Sequence, residues 1–85
     1  MKVNVIYRRN LKMSTGKIAA QAIHAAIALG MTDPSLPVVV LGMRDKQYYS
    51  KIRLLKGTKI AIVKDAGYTE VEPGTETCAA WYENT

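Results

Sequence analysis

The chain has 85 residues, of which 48% are hydrophobic and 22% are charged, and its formal net charge is +5 at pH 7. This length suits one hydrophobic core, so we expect residues 1–85 to form a single domain. The single cysteine excludes an intramolecular disulfide, and one cysteine with one histidine argues against a structural zinc site. The N-terminal apolar run is too short for a signal peptide, and the stretch from Ile18 to Met31 is too short to span a bilayer. We therefore expect a cytoplasmic protein without a membrane segment.

The chain is predicted to begin with a strand and a helix. Residues Val3 to Arg9 alternate in side-chain direction with apolar residues on both sides, which indicates a strand covered on both faces. A helix from Gly16 to Leu29 follows, with Ser14 or Thr15 as its N-cap and Gly30 as its end. The residues predicted to form its apolar face are Ile18, Ala22, Ile23, Ala25, Ala26, Ile27 and Leu29.

The remaining elements complete the order β-α-β-α-β-β. Pro37 to Met43 is a continuous apolar run, typical of a buried parallel strand, and Lys59 to Lys64 is predicted to be another buried strand. A short helix from Lys46 to Leu55 lies between them, and Thr77 to Tyr82 is predicted to be the fourth strand. Right-handed crossovers place the two helices on opposite faces of the sheet if the chain reverses direction across the sheet after the second strand. The predicted fold class is therefore α/β, a three-layer α/β/α sandwich.

Basic residues are concentrated in two segments of the chain. Residues 1–17 hold five basic and no acidic residues, and residues 44–64 hold seven basic residues against Asp45 alone. Residues 65–85 hold five acidic residues and no basic residue. This asymmetry favours a basic face that binds a polyanion, with nucleic acid as the leading candidate. On charge alone, a basic surface that serves only solubility is an equal alternative.

Gly16 and Lys17 suggest a phosphate-binding loop, but the surrounding residues exclude it. That motif needs a first glycine where this chain has Leu11, and a hydroxyl residue where it has Ile18. Lys17 instead stands at a helix N-terminus, where the helix dipole disfavours a positive charge. A residue placed against local electrostatics hints at a functional demand.

Polar residues form a stripe on the first helix and a cluster after the third strand. Lys17, Gln21 and His24 follow helical spacing, and a solvated helix face is the simpler interpretation, which we favour for Gln21. Asp65 directly follows a buried strand, and a glycine turn then leads to Thr69. This arrangement could position a water molecule or simply form an Asx-type turn, and the residues alone leave these alternatives equal.

Three residues of the last strand are interpreted as structural. Cys78 is expected to be an inert buried thiol. Trp81 and Tyr82 could stack on bases, but a contact at an edge strand or a dimer interface is the favoured interpretation.

Two segments together resemble the type 2 peptidyl-tRNA hydrolase family: LKMSTGKIAAQAIHAA (residues 11–26) and IVKDAGYTEVEPGTET (residues 62–77). Members of that family pair a Leu-Lys-Met, Gly-Lys, Ala-Ala-Gln, His-Ala helix start with a later Asp-Ala-Gly, Thr, Pro-Gly-Thr sequence. The resemblance implies a mixed four-stranded sheet in which the last strand runs antiparallel between the first and third. It also implies an esterase that cuts the bond between a peptide and the ribose of its tRNA, without metal or cofactor.

The resemblance assigns roles to particular residues. The predicted catalytic residues are Lys17, Asp65, Thr69 and His24, and the predicted tRNA- or substrate-binding residues are Arg8, Lys12, Gln21, Thr75, Lys51 and Arg53. Asp65 and Thr69 would orient the attacking water, and Lys17 would stabilise the developing oxyanion or the leaving ribose oxygen. The partner would be peptidyl-tRNA. The alternatives are a non-catalytic RNA-binding module on the same fold and an interaction protein with a vestigial site.

The sequence departs from the family pattern at several places. Asn10 stands where the family usually has Asp, Ser14-Thr15 replaces a Gly-Lys pair, and Tyr68 stands where Arg is common. The 85 residues also contain no counterpart of the family's terminal helix. We expect this to expose a sheet face or edge, which a homodimer could cover.

Overall fold

The computed structural model describes residues 1–67 and 70–84 and confirms the predicted order of elements. The strands and helices are β1 (Lys2–Arg8), α1 (Thr15–Leu29), β2 (Val38–Met43), α2 (Asp45–Leu54), β3 (Ile60–Lys64) and β4 (Glu76–Glu83). A short 3-10 turn over Arg9–Leu11 joins β1 to the segment that leads into α1.

The strands form one mixed sheet in the order β2-β1-β4-β3. β1 and β2 are parallel, whereas β4 runs antiparallel to both of its neighbours, β1 and β3. The antiparallel last strand between the first and third is thus confirmed. Helix α1 packs on β1, β3 and β4, and α2 packs on β1 and β2.

Side-chain alternation along the strands divides the core between the two faces of the sheet. On β1, Val3 and Val5 pack in the α1 layer, while Ile6 packs in the α2 layer with Tyr48. β4 alternates in the same way, because Cys78 lies in the first cluster and Trp81 in the second. The two helices therefore cover opposite faces, as the three-layer prediction requires.

Two structural expectations for the last strand have different outcomes. Cys78 is fully buried, as predicted, and burial raises the pKa of its thiol to about 11. The expected edge or interface position of Trp81 is wrong. β4 lies inside the sheet, Trp81 is buried, and the Lys51 ammonium lies 5.5 Å from the centre of its ring.

The prediction that β2 and β3 are buried is also wrong, because both lie at the edges of the sheet. Val40 and Leu41 on β2 and Ile62 on β3 are between 41% and 52% exposed. The apolar runs resemble buried strands because the sequence does not reveal that β4 takes the inner position next to β1. β4 displaces β3 to the edge of the sheet. With one helix on each face, part of the surface of the two edge strands stays exposed.

The ends of α1 match the prediction, but its apolar face is narrower than expected. The Ser14 hydroxyl accepts a hydrogen bond from the Lys17 backbone N–H at 3.2 Å, and Gly30 ends the helix in the left-handed region. Leu29 is buried, whereas Ile23 and Ile27 are exposed, contrary to expectation.

Replacing Leu29 by alanine should lower the free energy of unfolding by about 2 to 5 kcal/mol, because it removes a fully buried side chain from the α1 layer. Ile27→Ala, two residues away and 67% exposed in the native chain, is the matched control and should cost less than about 0.5 kcal/mol. Urea unfolding of both variants measures the difference. Equal costs would contradict the described orientation of α1.

Candidate active site

The candidate site lies where β3 ends and α1 begins. Asp65 directly follows β3, and its backbone N–H donates to the Thr75 carbonyl at 2.8 Å, while its own carbonyl accepts from the Gly74 N–H at 2.7 Å. Gly67 has a φ of +84°, and a Cβ at this position would lie 2.3 Å from a side-chain carbon of Pro73. These backbone contacts fix the position of Asp65, and only glycine fits at position 67.

The carboxylate of Asp65 is buried and accepts three hydrogen bonds. Its Oδ2 accepts from the Lys17 ammonium and from Gln21 Nε2, the latter at 3.1 Å. Its Oδ1 accepts from the Gly67 backbone N–H at 2.6 Å. The structure therefore brings Lys17 and Asp65, both predicted from the sequence, into direct contact as an ion pair.

The surroundings of Asp65 favour its charged form. The Lys17 ammonium is the largest influence that lowers the pKa of this carboxyl group, followed by the Gly67 N–H, and together they outweigh the opposing effect of burial. Asp65 is consequently an anion at neutral pH. Such a carboxylate is a weak proton acceptor but a strong hydrogen-bond acceptor, so it is suited to holding and orienting donors.

The interpretation of Gln21 as a solvated residue is wrong, because the residue is only 4% exposed. Its Nε2 donates to Asp65, and its Oε1 accepts from the Thr77 hydroxyl at 2.5 Å. Both ends of the amide are thus hydrogen-bonded, which is required of a buried polar group. Gln21 lies one helical turn after Lys17, and this spacing is the sequence signal that places both side chains toward Asp65.

Thr77 is a site residue that the sequence did not reveal. Its neighbours on β4 pair with β3 in register, but the pairing shifts so that Val63 faces Cys78 and Lys64 faces Glu76, leaving Thr77 without an opposite residue. Such a bulge redirects a side chain, and here the hydroxyl reaches Gln21. Strict alternation would have assigned Thr77 to the α2 face.

Glu70 is a second contact missed from the sequence. Its two carboxylate oxygens accept from the backbone N–H and the hydroxyl of Ser14, at 2.7 and 2.5 Å. This contact ties the segment after Asp65 to the start of α1. The Ser14 hydroxyl also caps the helix, so one residue serves both contacts.

A cavity of about 590 Å³ opens beside the ion pair. It is lined by Lys17, Ala20, Gln21, His24 and Ala28 of α1 and by residues 62–66 of β3 and the segment after it. His24 is exposed on the cavity wall, so the structure brings it to the same cavity as Lys17 and Asp65. The predicted catalytic Thr69 lies outside the described residues, as does Tyr68.

The predicted binding residues occupy different surroundings. Arg8 donates to both carboxylate oxygens of Asp45, at 3.0 and 2.9 Å, and to the Glu76 carbonyl. The hydrogen bonds from Arg8 lower the pKa of Asp45. Lys12 is exposed and has a left-handed backbone with a φ of 52°. Thr75 contributes its carbonyl to the Asp65 backbone.

Two other predicted binding residues, Lys51 and Arg53, lie on α2, which covers the opposite face of the sheet. Lys51 is above the Trp81 ring, and Arg53 donates to the Ser50 hydroxyl at 3.0 Å. The structure does not bring them to Lys17 and Asp65. Asn10, which departs from the family pattern, accepts from the Asp45 backbone N–H at the start of α2.

Over residues 1–67 and 70–84, no three His, Cys, Asp or Glu side chains are grouped so that they could bind a metal ion. In the same part of the chain, no helix is both long and apolar enough to cross a membrane.

Comparison with known proteins gives one consistent result. The family model described as Peptidyl-tRNA hydrolase PTH2 matches residues 1–35. The peptidyl-tRNA hydrolase of Methanopyrus kandleri is 37% identical over 87% of this chain and 77% of its own length. That of Sulfolobus acidocaldarius is 35% identical over 93% of this chain and 83% of its own length. That of Thermoplasma acidophilum is 33% identical over 91% of this chain and 80% of its own length.

Asp65→Asn should change how stability depends on pH. Because the folded state holds the pKa of Asp65 below its ordinary value, the carboxylate stabilises the fold above about pH 4 and loses this effect as the pH falls through the folded pKa. The native chain should therefore lose more stability than Asp65→Asn on acidification. Urea midpoints between pH 7 and pH 2.5 test this.

In Lys17→Met, which removes the largest cause of the pKa shift, the loss of stability should begin at a higher pH than in the native chain. If the urea midpoints of the native chain and of Asp65→Asn changed with pH in parallel, the ion pair would be absent in solution.

Proposed function

The chain belongs to the peptidyl-tRNA hydrolase PTH2 family, and we propose that it hydrolyses the ester bond of peptidyl-tRNA at the Lys17–Asp65 pair. The reaction separates the peptide from the ribose of tRNA and consumes one water molecule. The observation that carries the assignment to this site is the buried ammonium–carboxylate pair on the wall of an open cavity.

Lys17 acts on the charge that develops during the reaction. When water adds to the ester carbonyl carbon, negative charge builds up on the carbonyl oxygen and then on the departing ribose oxygen. The Lys17 ammonium has three N–H donors, of which Asp65 takes one. The others can donate to these oxygens, and because the side chain is only 11% exposed, its charge is weakly screened by solvent.

Asp65 holds Lys17 in place through the ion pair. Its lowered pKa means that it is not a strong general base, so its contribution is to orient donors, including the attacking water, together with Thr69. Gln21 donates to the same carboxylate oxygen as Lys17, and the Thr77 hydroxyl donates to the Gln21 amide oxygen and so orients it. His24 is a third candidate for contact with the reacting groups, since it lies on the same cavity.

The tRNA itself is proposed to contact binding residues predicted from the sequence: the basic residues Arg8, Lys12, Lys51 and Arg53, and Thr75. Among these, Lys12 is exposed and follows the 3-10 turn after β1, whereas the charge of Arg8 is already balanced by Asp45. The alternative of a non-catalytic RNA-binding module is not favoured, because the relatives are named as hydrolases. A substrate made during translation places the proposed activity in the cytoplasm.

We further propose that the chain forms a homodimer in which the edges of the two β2 strands pair with each other. The strand carries no charged residue from Val38 to Met43, and within the described part of the chain it pairs only with β1. Val40 and Leu41 expose apolar surface on its two faces. A second copy placed antiparallel about a two-fold axis would pair both edges and cover this surface.

The proposed dimer predicts a defined sedimentation result. The native chain should sediment as a dimer, and Val40→Lys should sediment as a monomer because a charge would then lie in the apolar surface that the dimer covers. Ile62→Lys, on the edge strand at the opposite side of the sheet, is the control and should remain dimeric. A monomeric native chain at about 100 µM, well above a micromolar dissociation constant, would contradict the proposal.

Turnover tests the proposed catalytic pair. Lys17→Ala and Asp65→Ala should each slow the release of free tRNA from an N-acetylated aminoacyl-tRNA by about a hundredfold or more, because each removes the positioned donor or its anchor. Lys2→Ala is the matched control, since Lys2 forms an ion pair with Glu83, 3.2 Å apart, at the other end of β1. It should release tRNA at the native rate. No release by the native chain above the spontaneous rate would overturn the proposed function.

A further inference from the structure

We propose that the peptide part of the substrate binds in extended form along the free edge of β3, with its ester end at Lys17 and Asp65. This inference rests on the proposed hydrolase function and adds a location and a conformation for the peptide. Three observations carry it: the shape of the cavity, the free edge of β3, and the position of the ion pair at one end.

The cavity is a groove between α1 and the β3 edge that continues from the site. Its α1 wall extends from Lys17 to Ala28, which is 11 residues and therefore about 16 Å along the helix axis. Its other wall is formed by Ile62, Val63 and Lys64. An extended peptide advances about 3.3 Å per residue, so the groove has room for about five residues.

The ion pair fixes the direction of the peptide. Asp65 follows the carboxyl end of β3, and Lys17 lies in the first turn of α1, so both stand at the same end of the groove. The ester carbonyl belongs to the last residue of the peptide. The peptide must therefore run parallel to β3, with its preceding residues extending back toward Ala28.

The edge of β3 offers main-chain recognition. β3 pairs with β4 on one side, and within residues 1–67 and 70–84 no strand pairs with its other side. In an edge strand, alternate residues direct their N–H and C=O groups outward, and an added strand can bond to them. This mode reads the backbone of the ligand and not its side chains.

The α1 wall is compatible with such a ligand. Ala20 and Ala28 are exposed and small, so they leave room for varied side chains. A hydrolase that removes peptides from tRNA must accept many peptide sequences, and a groove that contacts the main chain meets that requirement. Between the two alanines, this wall also carries the buried Gln21 and the exposed His24.

The test compares two substrates with the same tRNA and the same last amino acid: an N-acetylated aminoacyl-tRNA and an N-acetylated pentapeptidyl-tRNA. Because several added main-chain hydrogen bonds each contribute modestly, kcat/KM of the native chain should be at least about tenfold higher for the pentapeptide. In Ala20→Leu, whose larger side chain fills the groove, the ratio should fall to about one.

Ala19→Leu is the matched control, because Ala19 is exposed on the same helix and outside the cavity lining. It should keep the native ratio. A second probe is the same pentapeptidyl-tRNA with N-methylated peptide amides. These amides cannot donate to the β3 edge, so the tenfold gain in kcat/KM over the aminoacyl-tRNA should be lost.

The outcomes separate the two proposals. Equal kcat/KM for both substrates in the native chain would overturn the peptide groove while leaving the hydrolase function in place. A preference for the pentapeptide that survives in Ala20→Leu would also overturn it, because the peptide would then bind elsewhere. No release from either substrate would remove the hydrolase function and the groove together.

Discussion

The structure of the site depends on one buried anion. A carboxylate inside a protein is costly unless each oxygen is compensated, and Asp65 meets this condition with the Lys17 ammonium, the Gln21 amide and the Gly67 N–H. These three partners come from the first turn of α1, its second turn and the segment after β3. The carboxylate therefore joins the helix to the sheet at the place where we propose that the ester is cleaved.

The surrounding fold supports this anion through successive contacts. The bulge in β4 directs Thr77 to Gln21, and this hydrogen bond orients the amide so that its N–H group faces Asp65. Glu70 accepts hydrogen bonds from Ser14 and so holds the segment after Asp65 to the start of α1. These hydrogen bonds restrict the side chains around Asp65 to one conformation. The Lys17 ammonium is therefore held in a fixed position before the substrate binds, as electrostatic catalysis requires.

Local patterns in the sequence predicted the elements well and their burial poorly. The cap at Ser14, the end at Gly30 and the two faces of β1 follow from short-range rules, and the structure confirms them. The edge positions of β2 and β3 depend on where β4 inserts, which periodicity does not encode. At the candidate site, the sequence predicts Lys17 and Asp65, which the structure brings into contact. It does not predict the burial of Gln21, whose partner Asp65 lies far along the chain, or the position of Thr77, which changes face at a bulge.

We propose that Lys17 and Asp65 act as one unit in peptidyl-tRNA hydrolysis. A double-mutant cycle of kcat/KM with Lys17→Met, Asp65→Asn and the combined variant measures this most directly. If Asp65 works by holding Lys17, the combined variant should lose no more activity than the more damaging single change. Losses that multiply would show that the two residues act independently and would contradict their action as one unit.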